Sequence, residues 1–148
     1  LFSKNEEAHW DFADQAGKAH IDWLNHCGRE DYLAAVAAEQ SADAPSLFDE
    51  PEAEPDRSTA EARVGEIARH ALPPNLTKLI RDHGPLRLVD HIADAYGDQL
   101  GRAREKHLRA AIKDLHKAGL IDNDGRGDFH RRTTRWTGGT PPIARDQR

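Results

Sequence analysis

The stretch that decides the fold is residues 107–122, which read HLRAAIKDLHKAGLID. Its apolar residues recur at three- and four-residue steps, the spacing that places side chains on one face of a helix. The inward positions are Leu108, Ala111, Ile112 and Leu115. Gly119 then supplies the left-handed residue that commonly ends a helix. The pattern predicts an amphipathic helix over about residues 102–118 whose opposite side is polar and basic.

A β-hairpin is predicted directly after this helix. Residues 120–123 have the pattern of a strand, residues 124–127 (DGRG) that of a glycine-bearing turn, and residues 128–136 that of a returning strand. Trp136, at the end of that strand, is expected to close the hairpin as a core residue rather than to stack on a base.

Three short helices are predicted upstream. Residues 58–61 read STAE, a capping-box pattern in which the serine and the glutamate cap each other's backbone amides. Pro73 and Pro74 are expected to end that helix, because proline lacks the N–H group that a helix interior needs. Two shorter helices over residues 75–83 and 89–96 follow, with a brief edge strand between them.

The first 40 residues form a separate helical segment in this interpretation. A helix is predicted from Glu6 to Gly28, which acts as its stop, and a second amphipathic stretch over residues 30–40. Two tryptophans and a phenylalanine on one lone helix are too much apolar surface to leave in water. We therefore expect this segment to dock on a surface that these residues do not contain.

The composition favours one small domain with appendages. Of the 148 residues, 37% are hydrophobic and 32% are charged, so the apolar residues can build one modest core. Residues 41–57, with three prolines and six acidic groups, are predicted to be a disordered linker. The compact domain then covers residues 58–136, and residues 137–148 form a flexible tail.

Cysteine content and hydropathy exclude several classes of protein. Cys27 is the only cysteine, so the chain cannot form an internal disulfide or a zinc site that needs two cysteines. This favours a reducing, cytoplasmic setting, and no apolar run is long enough to cross a membrane. Since the chain starts at Leu1 and contains no methionine, we expect it to be a fragment of a longer protein.

The charge is distributed unevenly along the chain. The net charge is -5, but residues 1–57 hold 4 Lys/Arg against 14 Asp/Glu, whereas residues 101–136 hold 10 against 5. A basic helix followed by a basic hairpin indicates a polyanionic partner. The candidate nucleic-acid-binding residues are Arg102, Lys106, His107, Arg109, Lys113 and Lys117 on the helix, and Arg126, Arg131 and Arg132 on the hairpin.

Three helices followed by a hairpin is the order of a winged helix-turn-helix domain, whose third helix lies in the major groove. Residues 107–122 resemble the recognition helix and first wing strand of such domains. Arg102 and Lys106 are expected to reach guanine edges or phosphates, with His107 and Arg109 as flanking contacts. Strand alternation predicts that only one of Arg131 and Arg132 faces the partner. The alternative, that these cations are merely solvated surface, stays open.

With these parts in place, the chain resembles the carboxy-terminal portion of the three-Cys-motif partner proteins, bacterial proteins with a winged-helix domain behind a methyltransferase-like α/β domain. In that resemblance, LFSK at residues 1–4 and the helix of Trp10 and Trp23 look like the last strand and helix of the upstream domain. The three-cysteine motif belongs to the partner. The resemblance implies an association with mobile or defence-type gene clusters, and it implies no catalytic residue here.

The function predicted from the sequence is binding of duplex nucleic acid, with double-stranded DNA as the expected partner. A protein–protein winged helix and an accessory domain of a nucleic-acid-modifying enzyme remain as alternatives. No catalytic residue, metal site or cofactor is predicted: His20, His26 and Cys27 have unconvincing spacing, and DGRG lacks the Lys-Ser/Thr of a phosphate loop. The acidic N-terminal part is expected to compete for the basic face.

Overall fold

The structure is a computed structural model and describes residues 5–41 and 53–139. In that part of the chain it is mainly helical, as predicted. The elements are α1 (Glu6–Gln40), α2 (Arg57–His83), β1 (Leu86–Arg87), α3 (Ile92–Tyr96), α4 (Glu105–Lys117) and β2 (Thr133–Thr134), with single 3-10 turns at Leu88–His91 and Gly97–Gln99. Residues 1–4, most of the expected linker and most of the expected tail lie outside the described residues. None of the described helices has the length and hydropathy that crossing a bilayer requires.

The core lies between α2, α3 and α4. The four predicted inward residues of α4 are all buried, and they meet a stripe of α2 that includes Leu72, Leu76 and Ile80. Tyr96 and Phe129 close the remaining sides of this core, each with essentially no exposed surface. Burying a large apolar side chain contributes about 1.5–3 kcal/mol, so this cluster supplies most of the stability of the fold.

The expected helix break at Pro73 and Pro74 is wrong, because α2 continues through both prolines. Leu72 and Leu76, on either side of the pair, are fully buried. An interior proline costs about 3 kcal/mol, and burial of the leucines on both sides offsets that cost. The helix does end at Gly84, as predicted, where φ is 74°.

The start of α2 also differs from the prediction. The helix begins at Arg57, and Asp56 is its N-cap: the Asp56 carboxylate accepts the backbone N–H of Thr59 at 2.9 Å and the hydroxyl of Ser58 at 2.6 Å. The expected capping box of Ser58 with Glu61 is therefore wrong, since an aspartate two residues earlier takes the capping role.

Helix α1 begins at Glu6 after an Asn5 cap, as predicted, but it does not end at Gly28. It runs as one helix to Gln40, and the Pro55 ring lies against Gly28, where an added Cβ would be 3.6 Å from the proline Cγ. Glycine in a helix interior weakens the helix without breaking it. The two predicted N-terminal helices are thus one.

Helix α1 is part of the core and is not a separate segment that lacks a surface to dock on. Trp10 is 2% exposed and lies 6.1 Å from the Tyr96 ring and 5.8 Å from the Phe129 ring, centroid to centroid. The expectation that the tryptophan-bearing face lacks its docking surface is therefore wrong at this position. For Phe12 and Trp23, which remain 74% and 59% exposed, it stays a prediction.

The predicted hairpin forms only in part. The two arms are joined by the Ile121–Trp136 bridge and by flanking backbone bonds such as Asp122 N–H to Arg135 O at 3.2 Å. Within the described part of the chain they form no longer ladder, and β2 pairs instead with β1, with Leu86 opposite Thr134. The reason is the buried amide of Asn123, whose Nδ2 donates to Phe129 O at 2.9 Å and to Thr134 Oγ1 at 2.7 Å. These side-chain bonds replace a regular ladder. Trp136 is partly buried against the core, as predicted.

Replacing Trp10 with alanine tests whether α1 belongs to this core. We expect Trp10→Ala to lower the free energy of unfolding by about 3–5 kcal/mol, the usual cost of deleting a buried aromatic side chain. Trp23→Ala, on the exposed face of the same helix, should change it by no more than about 0.5 kcal/mol. Urea denaturation followed by circular dichroism measures both. Equal effects of the two variants would show that α1 does not dock as described.

A second prediction concerns the place where α1 crosses the segment that precedes α4. Gly17 is buried against Ala103, and an added Cβ would lie 2.4 Å from the Ala103 carbonyl oxygen. Gly17→Ala should therefore destabilise the protein by about 1–3 kcal/mol. Gly28→Ala has space for its methyl group and should stabilise it by about 0.5–1 kcal/mol. Thermal unfolding of the two variants should shift in opposite directions, and a stabilised Gly17→Ala would contradict this helix crossing.

Candidate nucleic-acid interface

The exposed side of α4 carries three lysines in one stripe. Lys106, Lys113 and Lys117 lie at seven- and four-residue steps, opposite the buried face of the helix, with Ala110 between the first two. Neither Lys113 nor Lys117 forms an ion pair within residues 5–41 and 53–139. Lys106 is bound to Glu61 of α2. We call this set the α4 lysine stripe.

The amino-terminal turn of α4 is covered by α1. The Asp14 carboxylate accepts the backbone N–H of Glu105 at 2.9 Å and also binds the Arg104 guanidinium. The Trp10 indole N–H donates to the Glu105 carboxylate at 3.2 Å. A helix end is open to an anion when its N–H groups are unoccupied, and here side chains of the same chain already occupy it.

The two predicted leading contacts, Arg102 and Lys106, lie in different surroundings. Arg102 lies before α4, outside the helix, and its exposed side chain lines a small cleft with Arg63 and His20. Lys106 is in the first turn of α4, but Glu61 holds its ammonium group. The prediction that Arg102 belongs to α4 is therefore wrong, whereas the contact with a groove stays a prediction for both side chains.

The two flanking candidates also have structural partners. His107 accepts the backbone N–H of Arg104 on its Nδ1 at 3.0 Å. Burial, together with the positive charges of Lys106 and Arg104, lowers the pKa of the His107 imidazole. A neutral ring whose Nδ1 is occupied in a cap is a poor phosphate ligand, so the predicted contact role of His107 is not supported.

Arg109 fastens the DGRG turn (residues 124–127) to α4. Its guanidinium donates to the carbonyl oxygens of Gly125 at 2.9 Å and Gly127 at 3.0 Å, and it is also bound by Glu105. The carbon at the centre of the guanidinium lies 4.5 Å from the centroid of the Phe129 ring. These contacts use the donors that a phosphate or a base would need, so Arg109 positions the turn instead of contacting a partner.

The DGRG turn packs directly beside the α4 lysine stripe. Gly125 is buried with φ at 71°, and an added Cβ would lie 2.9 Å from Lys113 Cγ and 3.3 Å from the Arg109 carbonyl oxygen. Only glycine fits a left-handed position this close to another backbone. The turn and the middle of α4 therefore share one surface, which brings Arg126 near Lys113.

The arginines of the turn and returning strand have different environments. Arg126 is more exposed than Arg131 and Arg132, with 86% of its side chain accessible and Asp124 at 3.7 Å. Arg132 stays on the turn, where it binds the Asp124 carboxylate and donates to Arg126 O at 3.0 Å. Arg131 turns to α1 and binds Glu7. The neighbours Arg131 and Arg132 thus face different elements.

Of the nine predicted residues, the structure brings Lys113 against the turn that carries Arg126 and binds Arg132, and Lys117 lies about one helical turn beyond Lys113 on α4. The sequence interpretation missed Glu7 and Asp14, which bind cations of the basic region, and Asn123, which shapes the turn. The only available signal for the two carboxylates was their place in the acidic amino-terminal half of α1. A contact across 90 or more residues leaves no local pattern.

Comparisons with protein-family models, with curated protein sequences and with solved structures find no match in any of the three.

The charge balance of the turn gives a pH prediction. The hydrogen bond from Arg132, with a further one from the Arg126 backbone N–H, lowers the pKa of Asp124 from 3.8 to about 2. Because the folded pKa is depressed, the stabilisation is present above pH 3.8 and is lost as the pH falls through about 2. Arg132→Ala should raise the pKa of Asp124 back toward 3.8.

Arg126→Ala is the matched control, because it keeps the backbone N–H that bonds Asp124 and removes only the more distant guanidinium. Its effect on the Asp124 pKa should be clearly smaller than that of Arg132→Ala. A carboxyl-carbon NMR titration measures both variants. Equal shifts would mean that Arg132 does not hold the turn.

Proposed function

We propose that this chain binds a nucleic-acid duplex, with double-stranded DNA as the partner, through the α4 lysine stripe and the DGRG turn. The observation that carries the proposal is the contact of the turn with α4, which joins two basic segments separated in sequence. Lys113, Lys117 and Arg126 are the contact residues. Two of these cations have no ion-pair partner in the described chain, and the third has only a distant one.

The mode of binding is side-on. An α-helix in a major groove about 12 Å wide can present its amino-terminal end or its flank. Here Asp14 and Glu105 occupy the amino-terminal end of α4, so the flank with Lys113 and Lys117 faces the duplex. Arg126 on the adjacent turn then reaches a neighbouring phosphate. Such contacts are mostly electrostatic and carry little sequence information.

The fold that best accounts for this surface is a winged helix-turn-helix. The support for a wing is the antiparallel pairing of β1 with β2 and the Ile121–Trp136 bridge, because β2 and both bridge residues belong to the segment that follows α4. We retain as proposals the kinship with three-Cys-motif partner proteins, an upstream α/β domain and a cytoplasmic setting. In this proposal the described chain binds and does not catalyse, and it uses no cofactor.

A second candidate function is protein binding. A groove of about 810 Å³ between α1 and the α3 region is lined mostly by apolar side chains, including Phe12, Ala16, Ile92 and Leu100. Phe12 and Leu100 are well exposed there. A contiguous apolar surface on a small protein commonly marks a protein interface. This groove lies on α1 and is separate from the α4 lysine stripe.

Titration of labelled duplex DNA, duplex RNA and single-stranded DNA at about 50 and 200 mM salt tests the proposal. Saturable binding to a duplex that weakens steeply with salt is expected. Lys113→Glu combined with Lys117→Glu should weaken binding roughly tenfold or more and reduce the slope of log affinity against log salt by about 2.

Lys78→Glu is the matched control for this experiment. Arg69 of α2 lines a cleft between α2 and α4. Lys78 is exposed and follows Arg69 by nine residues, which is about two and a half helical turns, so it lies on the opposite side of α2. Lys78→Glu changes the net charge by the same amount per substituted residue, and it should leave the affinity for duplex DNA nearly unchanged. Absence of saturable binding at low salt would refute nucleic-acid binding and leave the apolar groove as the functional surface.

A further inference from the structure

The first turns of α1 place two carboxylates on arginines of the basic region. Glu7 binds the Arg131 guanidinium, and its Oε1 also lies 3.3 Å from Nε2 of the buried His130. Asp14 binds Arg104 at 3.2 Å. Both arginines belong to the segment from residue 101 to 136 that carries the excess of positive charge.

These carboxylates are held in place by Trp10. Glu7, Trp10 and Asp14 are spaced three and four residues apart and so lie on one face of α1. Trp10 is buried in the core, and its ring stacks on His130 with centroids 4.4 Å apart and planes 13° from parallel. Releasing either carboxylate by moving the helix would expose this ring. The two ion pairs are therefore built into the folded state.

Each carboxylate takes the place on its arginine that a phosphate would take. A guanidinium recognises carboxylate and phosphate oxygens with the same N–H groups. Hydrogen bonds from Arg131 and His130 lower the pKa of Glu7 despite some desolvation. At Asp14, burial acts in the opposite sense, but the bonds from Arg104 and Glu105 N outweigh it and lower the pKa as well. Both groups are ionised at neutral pH.

We infer that Glu7 and Asp14 are intramolecular competitors of phosphate, which keep Arg131 and Arg104 out of the nucleic-acid contact and hold affinity below what the cations could provide. The inference rests on the proposed function and adds how the same surface is controlled. Removing the two carboxyl charges should recruit both arginines to the duplex. The chain then gains phosphate contacts from two arginines that it already contains.

The test compares Glu7→Gln combined with Asp14→Asn against the unchanged chain. Both substitutions preserve size, and Asp14→Asn keeps a hydrogen-bond acceptor for the Glu105 N–H. Two recruited cations should steepen the slope of log affinity against log salt by about 1.8, since each phosphate contact contributes about 0.9. Binding to labelled duplex DNA at about 150 mM salt should tighten roughly 3- to 10-fold.

Asp31→Asn is the matched control. Asp31 is an exposed aspartate on the same helix, about 25 Å from Asp14 by the rise of 1.5 Å per residue. That distance is well beyond the screening length of about 8 Å at physiological salt. Its neutralisation should leave both the slope and the affinity unchanged, whereas an equal effect of Asp31→Asn would show that general charge, not competition, is responsible.

Arg131→Gln separates competition from a structural effect. In the unchanged chain it should alter affinity little, because Glu7 already occupies Arg131. In the Glu7→Gln background it should abolish the gain that Glu7→Gln produces. Thermal unfolding confirms that each variant is folded, and Glu7→Gln alone serves if Asp14→Asn destabilises the cap of α4.

The outcomes distinguish the two proposals. If the unchanged chain binds duplex DNA and the double variant binds with the same slope and affinity, the competition is refuted and the proposed function stands. If neither binds at low salt, the proposed function fails and the competition fails with it. A steeper slope in Glu7→Gln that disappears when Arg131→Gln is added supports both.

Discussion

The burial of Trp10 is the interaction on which the arrangement of this molecule depends. Its ring fills the space between Tyr96, Phe129 and His130, and its indole N–H bonds the Glu105 carboxylate. This single side chain connects α1 to the core, to the first turn of α4 and to the returning segment. With that ring in place, Glu7 and Asp14 necessarily lie beside cations of the basic region, because the helical repeat puts all three residues on one face.

The cations of the basic region fall into two groups with different physical roles. Arg104, Arg109, Arg131 and Arg132 bind carboxylates or carbonyl oxygens of the chain itself and hold α1, α4 and the DGRG turn together. Lys113, Lys117 and Arg126 extend into solvent. Arginine suits the first role because its planar group can bind several acceptors at once, whereas a lysine on a flexible stem suits a solvated contact. A count of positive charges therefore overestimates how many are available to a partner.

Local patterns predicted the elements whose cause is local. The apolar spacing of Leu108, Ala111, Ile112 and Leu115 identified α4 and its buried face. Gly84 and Gly97 end their helices where predicted, and Gly119 follows the end of α4, each with positive φ. The predictions failed where a distant contact outweighs a local preference. Buried leucines carry α2 through Pro73 and Pro74, and the Asn123 amide diverts the expected hairpin into a short pairing of β2 with β1.

The sequence by itself determined the mainly helical class, the amphipathic α4 and the concentration of positive charge after residue 100, because each follows from the order of neighbouring residues. Only the tertiary structure decided which cations face solvent, that α1 belongs to the core, and that Glu7 and Asp14 meet Arg131 and Arg104. Those pairs join residues 90 and more positions apart. Their contact depends on how the helices pack, which a pattern of near neighbours does not encode.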